Sequence, residues 1–130
     1  MIVGDASVVL AALTDVGGDG PWAARLLEGE DLLAPHLMPA EVAQVLRRGI
    51  SRGVMSKEAG GLAYFALVEL GVVLVPYVPY AARVWELREN VTIYDAWYVA
   101  LAEAFDCPLA TLDHRLAGAT GPRCEFLVPD

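Results

Sequence analysis

Four acidic residues stand where predicted strands end or predicted helices begin. Asp5 closes the apolar run Met1-Ile-Val-Gly4, and Asp113 follows the apolar Pro108-Leu-Ala-Thr111 in Thr111-Leu-Asp-His-Arg115. Glu41 falls in the first turn of the helix opened by Pro39, and Asp95 in the first turn of the helix that starts near Thr92. The chain carries 17 Asp and Glu, so position and not residue type singles these out. Carboxylates gathered a few ångströms apart repel and raise one another's pKa unless cations sit among them. Hard oxygen donors without His or Cys select Mg²⁺ or Mn²⁺ over zinc. Mg²⁺ takes only a few carboxylates and keeps several waters, which suits attack of water on a phosphodiester. Metal-assisted phosphodiester hydrolysis is the reaction class these residues imply.

Each acid also has a purely structural explanation. Thr92-x-x-Asp95 reads as a capping box, Glu41 favours a helix amino terminus through the dipole, and Asp5 and Asp113 can cap short helices after their strands. Capping does not explain why all four are expected at one edge of one sheet, in segments otherwise apolar.

The elements that must position them follow from periodicity and punctuation. Ile2-Val3-Gly4, apolar on both sides of the backbone, reads as a buried strand of a sheet covered on both faces. Ser7 is placed to cap a helix carrying Val8 to Leu13, which ends before the loop Asp15-Val-Gly-Gly-Asp-Gly20. Pro21 opens a helix over Trp22 to Glu28, and Leu32-Leu-Ala-Pro35 is the second strand. The helix from Pro39 to Gly53 sets Val42, Val45, Leu46 and Ile50 on one face, with Arg47, Arg48 and Arg52 largely on the other. Ser56 caps a helix running to Leu70, and Val72-Val-Leu-Val-Pro76 is the clearest buried strand. Helices from about Tyr80 to Glu89 and from Thr92 to Phe105 come next, and Pro108–Thr111 and Glu125–Val128 are the last strands. Strands separated throughout by helices imply crossover connections and a mainly parallel sheet. The fold class expected is a three-layer α/β domain.

With 130 residues, the chain fits one domain over 1–130, with a core that needs no disulfide or structural metal. A net charge of −8 argues against loose, non-specific wrapping of nucleic acid, which depends on neutralising phosphates. It does not exclude a nucleic-acid enzyme, because cations bound among the carboxylates restore attraction for phosphate. Cys107 and Cys124 lack metal-ligand spacing and read as small buried thiols. The amino terminus lacks a basic region and meets a charge at Asp5, unlike a signal peptide. The longest apolar run, Leu70 to Ala82, is broken by Pro76 and Pro79 and is too short to span a bilayer. A reducing cytoplasm and no membrane association are the expectation.

Four segments carry a resemblance over essentially the full length. They are Val3-Gly-Asp-Ala-Ser-Val8, Pro39-Ala-Glu-Val-Ala-Gln-Val-Leu-Arg-Arg48, Thr92-Ile-Tyr-Asp-Ala-Trp-Tyr-Val-Ala-Leu-Ala-Glu103 and Thr111-Leu-Asp-His-Arg-Leu116. In this order and spacing they resemble the PIN-domain family, and within it the VapC-type toxin ribonucleases of bacterial toxin–antitoxin pairs. The resemblance implies five parallel strands with the first at the centre, and endoribonuclease cleavage with Mg²⁺ or Mn²⁺. It makes Asp5, Glu41, Asp95 and Asp113 the catalytic, metal-holding acids, with Ser7 and Thr111 as supporting hydroxyls beside them. It also implies a homodimer and a small VapB-like antitoxin that wraps the toxin and inserts a basic side chain into the acidic pocket. Gly4 is a departure, since relatives often carry a β-branched residue before the first Asp; a looser strand end is the expected consequence.

Among other candidates, Arg115 is the best placed to guide RNA phosphates because it follows Asp113 closely, with Arg47, Arg48, Arg52 and Arg88 behind it. A solvated helix face explains Arg47, Arg48 and Arg52 at least as well. His114 fits an exposed loop position, and Trp22, Trp85, Trp97, Tyr94 and Tyr98 fit core packing or a dimer interface better than base stacking. Asp5-Ala-Ser7 lacks the Asp-x-Asp of a phosphoaspartyl phosphatase, and no paired acids follow the first strand as in phospho-receiver domains. The rival from another class is a catalytically idle PIN-like module that holds a partner protein.

Overall fold

The computed structural model describes residues 1–14 and 17–130. Asp15 and Val16, in the expected Gly-rich loop, lie outside the described residues. The chain forms an all-parallel five-stranded sheet of β1 (Ile2–Gly4), β2 (Leu32–Pro35), β3 (Val73–Val75), β4 (Leu109–Ala110) and β5 (Phe126–Leu127), in the order β3-β2-β1-β4-β5. Helices cover both faces, giving the three layers expected from the alternation of elements. They are α1 (Ala6–Thr14), α2 (Gly20–Glu28), α3 (Met38–Ser51), α4 (Lys57–Val68), α5 (Ala81–Glu86), α6 (Ile93–Ala104) and α7 (His114–Ala117). β1 is the central strand, pairing Ile2 with Leu32 on one side and Val3 with Leu109 on the other. From β1 the chain winds outward through β2 and β3, then returns to place β4 and β5 on the opposite side. The junction of β1 and β4 is therefore the switch point at whose carboxyl edge α/β sheets form clefts.

Local chemistry sets the helix starts. Ser56 accepts the Ala59 N–H at 3.0 Å, and Thr92 accepts the Asp95 N–H at 3.1 Å, each satisfying a donor that the first turn leaves unpaired. Pro21 and Pro39 occupy first-turn positions, where a missing N–H costs nothing. Ser7, expected as a cap, instead lies inside α1. The helix starts directly after the strand, so the Asp5 carboxylate takes the Val8 N–H at 3.2 Å and frees the serine hydroxyl for other partners.

Three further expectations change. Val72–Pro76 is not a buried strand: β3 is an edge strand, with Val73 56% and Leu74 39% exposed. Apolar composition marked it as a strand but could not tell which side of it had a neighbour. The helix expected from Tyr80 to Glu89 opens instead with a 3₁₀ turn, Val78–Tyr80, and ends at Glu86. Beyond it Arg88 donates to the Trp85 carbonyl at 2.7 Å, and Asn90 N–H reaches back to Leu87 at 2.9 Å. These bonds satisfy chain-end carbonyls with tighter turns. Gly4 does not loosen its strand. A Cβ there would stand 2.8 Å from Leu32 Cδ1, so the β2 leucine fills the volume that a side chain at this position would take.

One core links the sheet to the helices, with Val3, Val8, Val9, Ala34, Met38, Val42, Val84, Val99, Leu101 and Leu109 all fully or almost fully buried. α1 packs on α2, α3 and α4, while α6 crosses β1, β2 and β4 with α5 behind it. A polar clamp joins this side to the segment entering β5. Arg83 on α5 donates to both Glu103 oxygens, at 2.7 and 3.1 Å, and to the Gly121 carbonyl at 3.0 Å. Glu103 also accepts the Arg123 N–H at 2.8 Å. Such bidentate, partly screened pairs are the strong kind.

The Arg83 guanidinium and the Arg123 N–H overcome the effect of burial and hold the Glu103 carboxyl below its ordinary range. A carboxyl with a lowered folded-state pKa stabilises at pH above its ordinary value, and that stabilisation fades as pH falls through the lowered value. Glu103→Gln is expected to cost about 1–3 kcal/mol in urea unfolding at pH 7. The gap between wild type and variant should narrow when the titration is repeated below about pH 4.

Candidate active site

Asp5, at the end of β1, is 7% exposed and is one of two buried polar residues in the molecule's described part, Thr111 being the other. Its carboxylate is held from both sides of the switch point. Ser7 Oγ donates to Oδ1 at 2.5 Å, Val8 N–H donates to the same oxygen, and Thr111 Oγ1 donates to Oδ2. The two hydroxyls also organise the loop after β4: Ser7 Oγ accepts the Leu112 N–H at 3.1 Å and Thr111 Oγ1 accepts the Asp113 N–H at 3.0 Å. The sequence marked both as supporting hydroxyls, and the structure brings both onto Asp5.

The helix-start explanations hold for all four acids, Glu41 lying in the first turn of α3 as the dipole reading has it. Asp113 Oδ1 accepts the Arg115 and Leu116 N–H groups at 2.9 and 3.3 Å and starts α7, Asp5 starts α1, and Asp95 sits in the first turn beyond its Thr92 cap. They hold alongside convergence and do not replace it. Asp5 raises the pKa of Glu41 and of Asp95, Asp95 raises that of Glu41, and Asp113 raises that of Asp95. Burial is the larger cause for Glu41 and Asp95, and burial alone pushes Asp5 upward against its three donors. Four carboxyls from β1, α3, α6 and the loop after β4 therefore share one electrostatic neighbourhood.

Glu41 is anchored by Tyr98, whose hydroxyl donates to Oε1 at 2.8 Å. Tyr98 is 3% exposed, and burial beside Glu41 drives its pKa far up, so it remains a neutral donor. The sequence reading left Tyr98 among packing aromatics. The signal available was its spacing, since Asp95 and Tyr98 lie three apart on α6 and share a face.

Among the described residues, no group of three or more His, Cys, Asp or Glu is arranged to hold a metal ion. The donor chemistry nevertheless suits a hard divalent cation: carboxylates and hydroxyls only, three of the acids with raised pKa, and Glu41 Oε2 and Asp113 Oδ2 accepting no hydrogen bond from the described residues.

Asp95 and Asp113 line an open cleft of about 490 Å³ together with Arg88, Asn90, Thr92 and Arg115. Arg115 thus stands beside the acids, as its place in sequence suggested, and Arg88 joins it from α5's end, stacked 4.7 Å over the Trp85 ring. Arg47 lines a separate groove between α3 and α4 with Tyr64 and Val68, and Arg48 is exposed on α3. His114 is exposed in the first turn of α7.

The chain matches the PIN domain family over residues 2–121. It is 41% identical over 128 residues to ribonuclease VapC9 of Mycobacterium tuberculosis, covering 98% of each chain. It is 44% identical over 123 residues to ribonuclease VapC1 of the same organism, covering 94% of this chain and 92% of that one. Among solved structures, the sarcin–ricin-loop-cleaving toxin VapC20 of M. tuberculosis superposes with a TM-score of 0.69 at 15% identity, over 90% of this chain and 93% of that chain. VapBC2 of Rickettsia felis, solved bound to a DNA fragment from its promoter, superposes with a TM-score of 0.67 at 12% identity over all of both chains. With its parallel sheet, its acids at the switch point and these full-length relatives, the chain belongs to the PIN-domain family and is similar to VapC ribonucleases within it.

Proposed function

We propose that this protein is the toxin of a toxin–antitoxin pair, a metal-dependent endoribonuclease that hydrolyses RNA phosphodiester bonds at Asp5, Glu41, Asp95 and Asp113. The observation that carries this reading is the buried Asp5 at the switch point, electrostatically coupled to Glu41 and Asp95. Burying repelling carboxylates is costly, and the cost is relieved when a divalent cation lies among them. The names of the curated relatives point to the same activity.

These four acids would hold Mg²⁺ or Mn²⁺; when bound, such a cation supplies polarisation of a phosphoryl oxygen and acidifies water near neutral pH. The chain's own residues do the rest. Ser7, Thr111 and the Val8 N–H fix both oxygens of Asp5, and Tyr98 fixes one oxygen of Glu41 while leaving the other available. Arg115 and Arg88 put positive charge on the wall of an otherwise acidic cleft, where an RNA phosphate needs it, with Arg47 and Arg48 farther out along α3. A cytoplasmic enzyme, working as a homodimer and silenced by a small antitoxin, completes the reading. The described residues include no helix long and apolar enough to cross a membrane. The exposed Leu62, Tyr64, Phe65 and Val68 of α4 offer a surface for a partner protein.

Purified protein should cut structured RNA in Mg²⁺ or Mn²⁺ and stop when the ion is chelated. Asp5→Ala and Asp95→Ala are expected to lower the rate by more than about 100-fold, whereas Ser7→Ala and Thr111→Val, which remove only support, should cost roughly 10–100-fold. Unchanged cleavage in both aspartate variants would place the chemistry elsewhere. Expression without an antitoxin should arrest growth, while an idle binding module should not.

Thermal melting provides a readout independent of cleavage. A raised carboxyl pKa in the folded state means that ionisation opposes folding at neutral pH, and the opposition is relieved as pH falls through the raised value. Metal-free Asp95→Asn should therefore melt no lower than wild type at pH 7. Added Mn²⁺ should raise the wild-type melting temperature and leave that of the variant nearly unmoved.

A further inference from the structure

The edge of the sheet farthest from β3 carries a second piece of chemistry. β4 and β5 pair in parallel, Leu109 opposite Phe126 and Ala110 opposite Leu127. The ladder is closed by Leu109 N–H to the Glu125 carbonyl at 2.9 Å and Thr111 N–H to the Leu127 carbonyl at 3.0 Å. Cys107 and Cys124 stand just before this ladder, two residues ahead of Leu109 and Phe126, and the ladder stops short of them, since the Cys107 N–H donates to the Ala102 carbonyl at 3.0 Å. The two segments enter the ladder side by side, where adjacent strands lie about 4.8 Å apart, and a disulfide spans a Cα separation of roughly 4.4–6.8 Å. Both thiols are free and half-buried, and both line one pocket with Ala102 and Pro108.

We propose that Cys107 and Cys124 are a redox pair that closes into an intramolecular disulfide between the approaches to β4 and β5, sealing the loop that carries Thr111, Asp113 and Arg115. By sequence these are small thiols without metal-ligand spacing, and the pairing of β4 with β5 brings together the segments that carry them. The reaction is exchange with a small-molecule disulfide such as oxidised glutathione. One protein thiolate attacks a glutathione sulfur and releases the first glutathione thiolate. The second protein thiolate then attacks the mixed disulfide and releases the other. The protein loses two electrons and two protons, and one glutathione disulfide becomes two thiols. Burial pushes the Cys124 thiol up to about 11 and raises Cys107 as well. Thiolate is therefore scarce, and closure is a slow response to sustained oxidation. In a reducing compartment the pair stays open.

The test uses the full chain, metal-free, incubated with oxidised glutathione at several protein concentrations and then read by free-thiol titration, intact mass and thermal melting. Closure predicts that both thiols vanish and the mass falls by two hydrogens with no glutathione adduct. It also predicts a rate independent of protein concentration and a melting temperature higher by on the order of 10 °C, all reversed by dithiothreitol. Cys107→Ser should keep at most one glutathione adduct and show no rise in melting temperature. Two adducts on the wild-type chain, disulfide-linked dimers on a non-reducing gel, or thiols that stay free after prolonged incubation would each overturn the proposal. The mass and thiol count of the wild-type chain decide the matter even if the variant folds poorly.

Discussion

A single buried carboxylate, that of Asp5, is the constraint around which the other parts are arranged. An isolated buried anion is expensive, and this one lies at the centre of a parallel sheet, where burial is deepest. Its cost is offset by donors from two directions: the first turn of α1 supplies Ser7 Oγ and Val8 N–H, and the end of β4 supplies Thr111 Oγ1. Because Ser7 and Thr111 in turn accept the N–H groups of Leu112 and Asp113, the same bonds that hold Asp5 shape the loop presenting Asp113. Removing the carboxylate would thus loosen the loop that presents Asp113 as well.

The acids around it are in tension with the fold. Glu41 and Asp95 sit partly buried within each other's field and that of Asp5, and each is harder to ionise as a result. Tyr98 relieves part of this by donating to Glu41 from the fully packed face of α6. What remains unrelieved is electrostatic repulsion, concentrated at one edge of the sheet. Functional sites are where such local costs are expected, because the surrounding core over-determines the geometry.

The two flanks of the sheet are managed differently. On one side β3 is an edge strand with Val73 and Leu74 exposed, and Leu74 lines a groove with Leu67 and Val68 of α4. On the other, the short β5 gains little from its own two residues, and the Arg83–Glu103 clamp ties the segment before it to α5 and α6. The clamp lies beside the pocket of Cys107 and Cys124, so charge pairing and a potential covalent link guard the same thinly built flank.

Much was legible in the order of residues alone. Apolar runs, caps and Pro/Gly punctuation determine local structure, so the strands, most helix starts, the parallel three-layer architecture and the candidate acids at element ends could all be read directly. The Gly4 departure, the role of Tyr98, the exposure of β3 and the cap at α1 could not. Each depends on what stands across from a residue: Leu32 filling the space at Gly4, Glu41 meeting Tyr98, no strand beyond β3 among the described residues, and Asp5 reaching Val8 before Ser7 could. A sequence states what each segment prefers by itself. Which segments become neighbours, and in what register, is decided only when long-range packing brings the chain together.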